Sequence, residues 1–206
     1  MPMRLGIFGG TFDPVHNGHV NAARIFRKKL QLDLVLFVPS AAPFYKTTCE
    51  TSYEHRYAMC LLATDEPGMA VSNIERGSSS GMYMCDVVAA LHDNHPENEF
   101  FLLMSDDLLR RLPQWKDFNA IRTNCVIAVL QRSRKADDAR LPVGTRCIKL
   151  DDPILPLSST DVRKAVANGM PINTMVPPAV AEYILENRLY TGTRSYSSLP
   201  MPNSFI

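Results

Sequence analysis

The chain has 206 residues, a length that fits one domain with a small appendage and is short for two domains. Apolar residues make up 46% of the sequence and charged residues 21%, which excludes the disordered and fibrous classes of protein. Lysine and arginine number 22 and aspartate and glutamate 21, so the net charge is +1. The protein therefore has no overall field that attracts a polyanion, and any anion site must be local.

The first apolar run is interrupted by Gly9 and Gly10 before it reaches the length of a signal peptide, and later apolar runs are too short to span a membrane. We therefore expect a cytoplasmic protein. The chain has five widely spaced cysteines and no CxxC pair: Cys49, Cys60, Cys85, Cys125 and Cys147. This pattern predicts reduced, mostly buried thiols, with no zinc site.

Strand-like and helix-like patterns alternate along most of the chain. Short apolar runs predict strands at 5–8, 33–38, 69–74, 99–104, 125–130 and 146–150. Helical spacing and capping signals predict helices at 20–30, 51–64, 83–94, 107–112, 158–169 and 177–189, the second of them opened by a capping box of Thr51 and Glu54. The alternation predicts an α/β protein with a doubly wound parallel sheet and a small helical C-terminal part. We expect one domain over 1–192 and a disordered tail over 193–206.

The run 9–19, GGTFDPVHNGH, lies between the first predicted strand and the first predicted helix. Gly9 and Gly10 allow the backbone to approach a ligand closely, and the helix N-terminus presents N–H groups to an anion. His16 and His19 are three residues apart, which places both imidazoles on one side of the helix start. The run fits neither the Walker A pattern nor GxGxxG. It predicts a nucleotide phosphate site.

A second run, 157–163 or LSSTDVR, has a serine cap followed by Arg163. We expect Arg163 in the first turn of a helix, where its charge opposes the helix dipole by about 0.3–1 kcal/mol. A bound triphosphate removes this conflict, because the guanidinium fork and the local amides both suit phosphate oxygens. The alternative is a plain helix cap with a solvated arginine.

Together these two runs resemble the HxGH nucleotidyltransferase superfamily, and in particular the bacterial nicotinate mononucleotide adenylyltransferases. The resemblance extends from about residue 4 to residue 190. It implies a Rossmann-like nucleotidyltransferase fold with His16, His19 and Arg163 as catalytic residues. It also implies that ATP is bound by Gly9, Gly10, Thr11, Phe12, His16, His19, Asp106, Ser158, Ser159 and Arg163.

The same resemblance implies a site for the mononucleotide formed by Tyr45, Lys46, Tyr83, Met84, Trp115 and Arg132. Tyr45 replaces a histidine of the family pattern, and Met104 replaces a glycine before Asp106. Trp115, the only tryptophan, suits stacking on a flat heteroaromatic ring, although it also suits a core anchor near Phe118. Arg132 is either a phosphate ligand or part of a solvated basic loop.

The resemblance implies transfer of AMP from ATP to nicotinate mononucleotide in NAD biosynthesis. Magnesium is expected as the only cofactor, held mainly by phosphate oxygens and water, with no dedicated protein ligands. The rival acceptors are nicotinamide mononucleotide and phosphopantetheine, and a cytidylyltransferase shares the same core motif. Two other classes stay open: a nucleotide sensor without turnover, and a nucleic-acid-binding module, which the +1 charge and the lack of a basic stripe disfavour. We expect neither nucleic acid nor a membrane among the partners.

Overall fold

A computed structural model describes residues 2–42, 49–78, 80–131 and 141–192. The strands are β1 (Arg4–Gly10), β2 (Leu34–Pro39), β3 (Met69–Val71), β4 (Glu99–Ser105), β5 (Cys125–Leu130) and β6 (Cys147–Leu150). The α-helices are α1 (Asn17–Leu30), α2 (Tyr53–Ala63), α3 (Met84–Asn94), α4 (Asp106–Leu109), α5 (Phe118–Asn124), α6 (Ser159–Ala167) and α7 (Pro178–Glu186). A single 3₁₀ turn at Leu112–Gln114 follows α4.

The six strands form one parallel sheet with the order β3-β2-β1-β4-β5-β6. This order reverses direction between β1 and β4, because the chain first builds outward from β1 to β3 and then starts again at β4. In such sheets ligands bind at the carboxyl ends of the strands at the reversal point. Gly10 ends β1 and Ser105 ends β4 there, so the fold places the phosphate-binding run at this crevice.

Each face of the sheet carries its own apolar core. On one face Phe101 and Leu103 of β4 pack with residues of α1, α2, α6 and α7. On the other face Phe100, Leu102 and Met104 pack with residues of α3 and α5. Because β4 is buried on both faces, its sequence reads as a continuous apolar run and shows no alternation. The predicted doubly wound α/β fold is confirmed.

Several local predictions are corrected. Thr51 does not open α2, because its hydroxyl donates a hydrogen bond to Asp13, and Ser52 accepts from the N–H of His55 as the cap. Glu54 closes no capping box and binds Arg76. The third strand is three residues long, and the predicted helix 107–112 divides into α4 and the 3₁₀ turn. Pro113 accounts for that division, since it cannot continue an α-helix.

Three of the five cysteines are buried and all five are free thiols, as predicted.

No helix in the described part of the chain is both long and apolar enough to cross a membrane. The proposed tail, 193–206, lies outside the described residues, and the domain boundary at 192 stays a prediction.

Candidate active site

His16 and His19 cap the N-terminus of α1 together. The Nδ1 atom of His16 accepts from the backbone N–H of His19 at 3.3 Å, and the Nδ1 atom of His19 accepts from the backbone N–H of His16 at 3.2 Å. Two of the unpaired N–H groups at a helix start are thereby satisfied reciprocally. Since each Nδ1 is an acceptor, a neutral ring carries its proton on Nε2. Both imidazoles can therefore donate from Nε2 to a ligand.

The two rings are held in one orientation. Their centroids lie 3.6 Å apart with an angle of 26° between the planes. Phe12 meets the ring of His19 edge-on at 5.0 Å, and only 1% of the surface of His16 is exposed. Because packing and capping both restrict these side chains, the donors are preorganised before any ligand arrives.

A cavity of about 290 Å³ opens next to these histidines at the carboxyl ends of β1, β4 and β5. Four of the predicted ATP-binding residues line it: Gly9, Gly10, Phe12 and His19. Its other walls are Phe8, Gly18, Ala22, Phe26, Leu103, Met104, Ser105, Asp107, Leu108, Leu130, Ile154 and Leu155. The mixture of apolar walls with a few polar groups at one end is typical of a nucleotide pocket.

Arg163 lies five residues after the cap Ser158, so it occupies the second turn of α6 and not the first. Its guanidinium makes three contacts: Nε with Glu50 at 2.7 Å, one terminal nitrogen with the carbonyl of Asp13 at 2.8 Å, and the other with Thr160 at 3.4 Å. The expected conflict with the dipole is therefore weaker than in a first turn, and Glu50 balances the charge. These contacts orient the fork beside the loop that carries His16.

The serines before Arg163 hold α6 in place. Ser158 is the cap predicted from the sequence, and it forms a capping box with Asp161. The hydroxyl of Ser159 donates to the carbonyl of Pro14 at 2.9 Å. The start of α6 is thus tied directly to the loop between β1 and α1, although neither serine lines the cavity.

Two further residues predicted to bind ATP, Thr11 and Asp106, belong to the loop after β1 and to α4. The carbonyl of Thr11 accepts a hydrogen bond from the buried side chain of Arg56 at 2.7 Å. Asp106 is the buried first residue of α4, and its neighbour Asp107 faces the cavity. Met104 is a buried residue of β4 that also lines the cavity, so the departure from the family glycine lies at the wall of the candidate site.

Of the residues predicted to bind the mononucleotide, Met84 lies against Gly9, and Tyr83 precedes it as the N-cap of α3. A Cβ atom on Gly9 would lie 2.5 Å from the terminal methyl of Met84, so these two residues are in close contact. Lys116 lies 4.3 Å from the ring centre of Tyr83 and 3.3 Å from Asp86 of α3. Trp115 is half-buried against the core that includes Phe118. Tyr45, Lys46 and Arg132 lie outside the described residues.

Sequence reasoning missed Arg56, which together with the buried Glu75 holds the loops around this side. The guanidinium of Arg56 donates to the carbonyls of Thr11, Ser40 and Ala41. The carboxylate of Glu75 accepts from the backbone N–H groups of Ala41 at 2.9 Å and Met82 at 3.2 Å. Burial raises the pKa of Glu75, and these N–H groups and Arg56 oppose the increase. The pair fixes the ends of β1 and β2 to the segment before α3.

Sequence reasoning also missed the network around Asp13. One oxygen of this buried carboxylate accepts from the hydroxyls of Thr51 and Tyr190, each at 2.8 Å, and the other accepts from the N–H of Glu50 at 2.8 Å. Burial beside Asp13 raises the pKa of Tyr190, so the phenol stays protonated and acts as a donor. In the sequence, Asp13 is one residue of the run 9–19, and its peptide bond to Pro14 is cis.

Among residues 2–42, 49–78, 80–131 and 141–192, no three His, Cys, Asp or Glu side chains are grouped so as to hold a metal ion. Magnesium commonly binds phosphate oxygens and water with one or two carboxylates. Asp107 is the carboxylate that lines the cavity. The residues present are therefore compatible with a magnesium ion that is bound mainly by the phosphates of ATP, with Asp107 as a nearby carboxylate.

Comparison with known proteins agrees with the geometry. The model of the cytidylyltransferase-like family matches residues 7–165. A curated relative from Clavibacter michiganensis subsp. michiganensis, named "Probable nicotinate-nucleotide adenylyltransferase", is 36% identical over 91% of this chain and 94% of its own length. A relative of the same name from Geotalea uraniireducens is 33% identical over 93% of this chain and 100% of its own. The Plasmodium falciparum nicotinic acid mononucleotide adenylyltransferase complexed with NaAD shares the fold, with a TM-score of 0.77 and 18% identity over 91% of this chain and 97% of that one.

The sheet order, the two-histidine cap beside a cavity and the family match define the class of this protein as a nucleotidyltransferase. The sequence identity of 36% and 33% to two curated relatives, over nearly their whole length, identifies the family within this class. The chain belongs to the nicotinate-nucleotide adenylyltransferase family.

Proposed function

We propose that the protein transfers AMP from ATP to nicotinate mononucleotide, giving nicotinate adenine dinucleotide and pyrophosphate. The observation that carries the proposal is the two-histidine cap of α1, of which His19 lines a cavity of about 290 Å³ and His16 stacks on His19. The names of the full-length relatives support the choice of acceptor. The cytoplasm is the proposed location of the reaction.

The reaction is an in-line displacement at phosphorus. An oxygen of the acceptor phosphate forms a bond with the α-phosphorus of ATP, and the bond from that phosphorus to the bridging α–β oxygen breaks. The phosphate is already an anionic nucleophile, so the protein needs no covalent intermediate. Its tasks are to align the two substrates and to stabilise charge on the oxygens of the transferring group and the leaving pyrophosphate.

The residues of the chain divide these tasks. The Nε2–H groups of His16 and His19 donate to oxygens of the α-phosphate and its neighbour, and the N-terminus of α1 adds its positive dipole. Arg163 donates from its terminal nitrogens to the outer phosphates. Gly9 and Gly10 let the backbone lie against the nucleotide. Bound magnesium supplies further positive charge to the triphosphate.

The acceptor meets the other side of Gly9. In this proposal the half-buried ring of Trp115 stacks on the pyridine, and backbone N–H groups near Tyr83 and Met84 receive the ring carboxylate. Lys46, Tyr45 and Arg132 are proposed to hold the acceptor phosphate. Lys116 stands between Tyr83 and the loop of Trp115 and adds positive charge to this side.

A pyrophosphate-release assay tests the proposal. The purified protein is given ATP and magnesium with nicotinate mononucleotide, nicotinamide mononucleotide, phosphopantetheine or no acceptor, and the dinucleotide is quantified alongside pyrophosphate. We expect one dinucleotide for each pyrophosphate, fastest with nicotinate mononucleotide. A higher rate with phosphopantetheine would overturn the assignment of the acceptor. ATP binding without pyrophosphate release from any acceptor would favour a nucleotide sensor.

A further inference from the structure

The carboxylate of Asp13 stands at the centre of a buried network that reaches from the C-terminal end of the described chain to Arg163. Only 3% of the surface of Asp13 is exposed. Its side chain accepts three hydrogen bonds, from the hydroxyls of Thr51 and Tyr190 and from the N–H of Glu50. All three donors are distant in sequence, so Asp13 joins segments that no local structure connects.

Three of these residues form a closed ring of contacts. The N–H of Glu50 donates to Asp13, Arg163 donates from Nε to the carboxylate of Glu50, and Arg163 also donates to the backbone carbonyl of Asp13. The position of the guanidinium is thus determined by the position of Asp13 through two independent contacts. His16 follows Asp13 by three residues, so the same loop connects the arginine with the histidine cap.

Tyr190 is the outer end of this network. It is buried after α7, and its backbone is in the left-handed region with φ of 63°. Its hydroxyl reaches Asp13 across 177 positions of the sequence at 2.8 Å. In the described part of the chain, the hydroxyl contacts Asp13 and also the hydroxyl of Thr51, which lies 3.4 Å away. The hydroxyl therefore acts on the loop of His16 and not on the cavity directly.

On these contacts, and resting on the proposed function, we propose that Tyr190 is a positioning residue for the transfer reaction. Its hydroxyl fixes Asp13, and Asp13 fixes Glu50 and the guanidinium of Arg163 relative to the histidine pair. Loss of the hydroxyl leaves the ring in the core but removes one of the two hydroxyl donors to the Oδ1 atom of Asp13, so that of this pair only Thr51 still holds that oxygen. Arg163 then samples orientations in which its fork no longer meets the phosphates.

Tyr190→Phe tests the proposal, with Tyr183→Phe as the matched control. Tyr183 belongs to α7 and its hydroxyl also makes one hydrogen bond to the α2 region, with His55 at 2.9 Å, but it does not touch Asp13. Each variant loses one hydroxyl and keeps its ring. The measurements are kcat, KM for each substrate, the dissociation constant of ATP and the melting temperature.

A misplacement of about 1 Å can cost roughly a hundredfold in rate, so we expect Tyr190→Phe to lower kcat about tenfold and to weaken ATP binding. Tyr183→Phe should leave both within about twofold of wild type. Both variants should have a lower melting temperature, and Tyr190→Phe the lower of the two, because its hydroxyl donates to a buried carboxylate. In an Arg163→Ala background, Tyr190→Phe should change kcat by less than about twofold, because residues that act through one another are not additive.

Wild-type kcat and ATP affinity in Tyr190→Phe would overturn the inference, and so would equal losses in the two phenylalanine variants or full additivity with Arg163→Ala. If the wild-type protein releases no pyrophosphate, the proposed function fails by itself. The ATP affinities of Tyr190→Phe and Tyr183→Phe then still decide whether Tyr190 acts on the phosphate site.

Discussion

His16 and His19 each accept the backbone N–H of the other, so the start of α1 and the orientation of both imidazoles are one structural unit. A serine or aspartate at the cap would satisfy the helix equally well. What the histidines add is a pair of Nε2–H donors with fixed directions. We therefore expect a substitution at this site to affect the stability of the protein and the rate of the reaction independently.

His19→Ala is expected to lower kcat by about a hundredfold to a thousandfold, the effect of losing a donor worth ~2.7–4 kcal/mol in the transition state. The KM for ATP should rise much less. Ser52→Ala is the matched control, because it removes the cap of α2 at a similar cost of about 0.5–2 kcal/mol and makes no contact with the cavity. A His19→Ala enzyme with kcat near that of wild type would contradict the role of this ring.

Arg163→Lys is not expected to be conservative, since an ammonium cannot hold Glu50 and the carbonyl of Asp13 while it contacts two phosphate oxygens. A lost hydrogen bond to a charged group is worth about 1.5–3 kcal/mol, so kcat/KM should fall about tenfold to a hundredfold with little change in melting temperature. Arg24→Lys is the control, because Arg24, like Arg163, binds a glutamate through its guanidinium but does not line the cavity. Unfolding of Arg163→Lys, or activity equal to that of Arg24→Lys, would make Arg163 a structural residue only.

The fold was largely predictable because its signals are local. Each buried parallel strand is a short apolar run, and the glycines at the end of β1 and the serine before α6 mark turns and caps within a few residues. The histidine pair was predictable for the same reason. Tyr190 and Asp13 were not, because a hydrogen bond across 177 positions leaves no spacing pattern.

The error at Thr51 has the same origin. The segment 51–54 has the composition of a capping box, but Asp13, 38 residues earlier, takes the threonine hydroxyl. Ser52 is left as the cap. Arg56 was likewise not predicted, since a fully buried arginine looks in the sequence like any charged residue on a helix surface. Tertiary contacts, which no local signal reports, therefore decide how the loops of the site are held.

The stability of the protein is expected to depend on His55 at mildly acidic pH. Burial lowers the pKa of His55 from its usual 6.5, and its Nδ1 contacts the hydroxyl of Tyr183. As pH falls through about 6.5, the unfolded chain takes up a proton that the folded chain resists, so the free energy of unfolding decreases until the lower folded pKa is passed. This stability is fully present above pH 6.5.

Chemical denaturation between pH 8 and pH 5 checks this expectation. His55→Gln should lose less stability over that range than wild type does, whereas His95→Gln, at an exposed histidine, should follow the wild-type curve. If the free energy of unfolding falls equally with pH in wild type and in His55→Gln, His55 is not the cause of the loss of stability in acid.

Gly81 is expected to be far less tolerant than Gly77. Both have positive φ, 72° and 81°, so alanine costs each about 1–2 kcal/mol through the left-handed backbone. Only at Gly81 would the new Cβ meet backbone, 2.7 Å from the carbonyl oxygen of Ala42, whereas nothing lies within 4 Å at Gly77. We expect Gly81→Ala to lose a further ~1–3 kcal/mol in urea unfolding. Equal losses of unfolding free energy in the two variants would show that the backbone at Ala42, after β2, moves to accommodate the Cβ atom without cost.

The central claim is that this site transfers AMP to a pyridine mononucleotide that carries a carboxylate. In the proposed function, backbone N–H groups near Tyr83 and Met84 receive the ring carboxylate, whereas an amide would turn its own N–H₂ towards at least one of them and leave a donor unpaired. That mismatch costs about 1–3 kcal/mol. The most direct measurement is kcat/KM for nicotinate and nicotinamide mononucleotide at saturating ATP and magnesium. The account predicts a preference of roughly tenfold to a hundredfold for the nicotinate form. Equal values, or a preference for the amide, would contradict it.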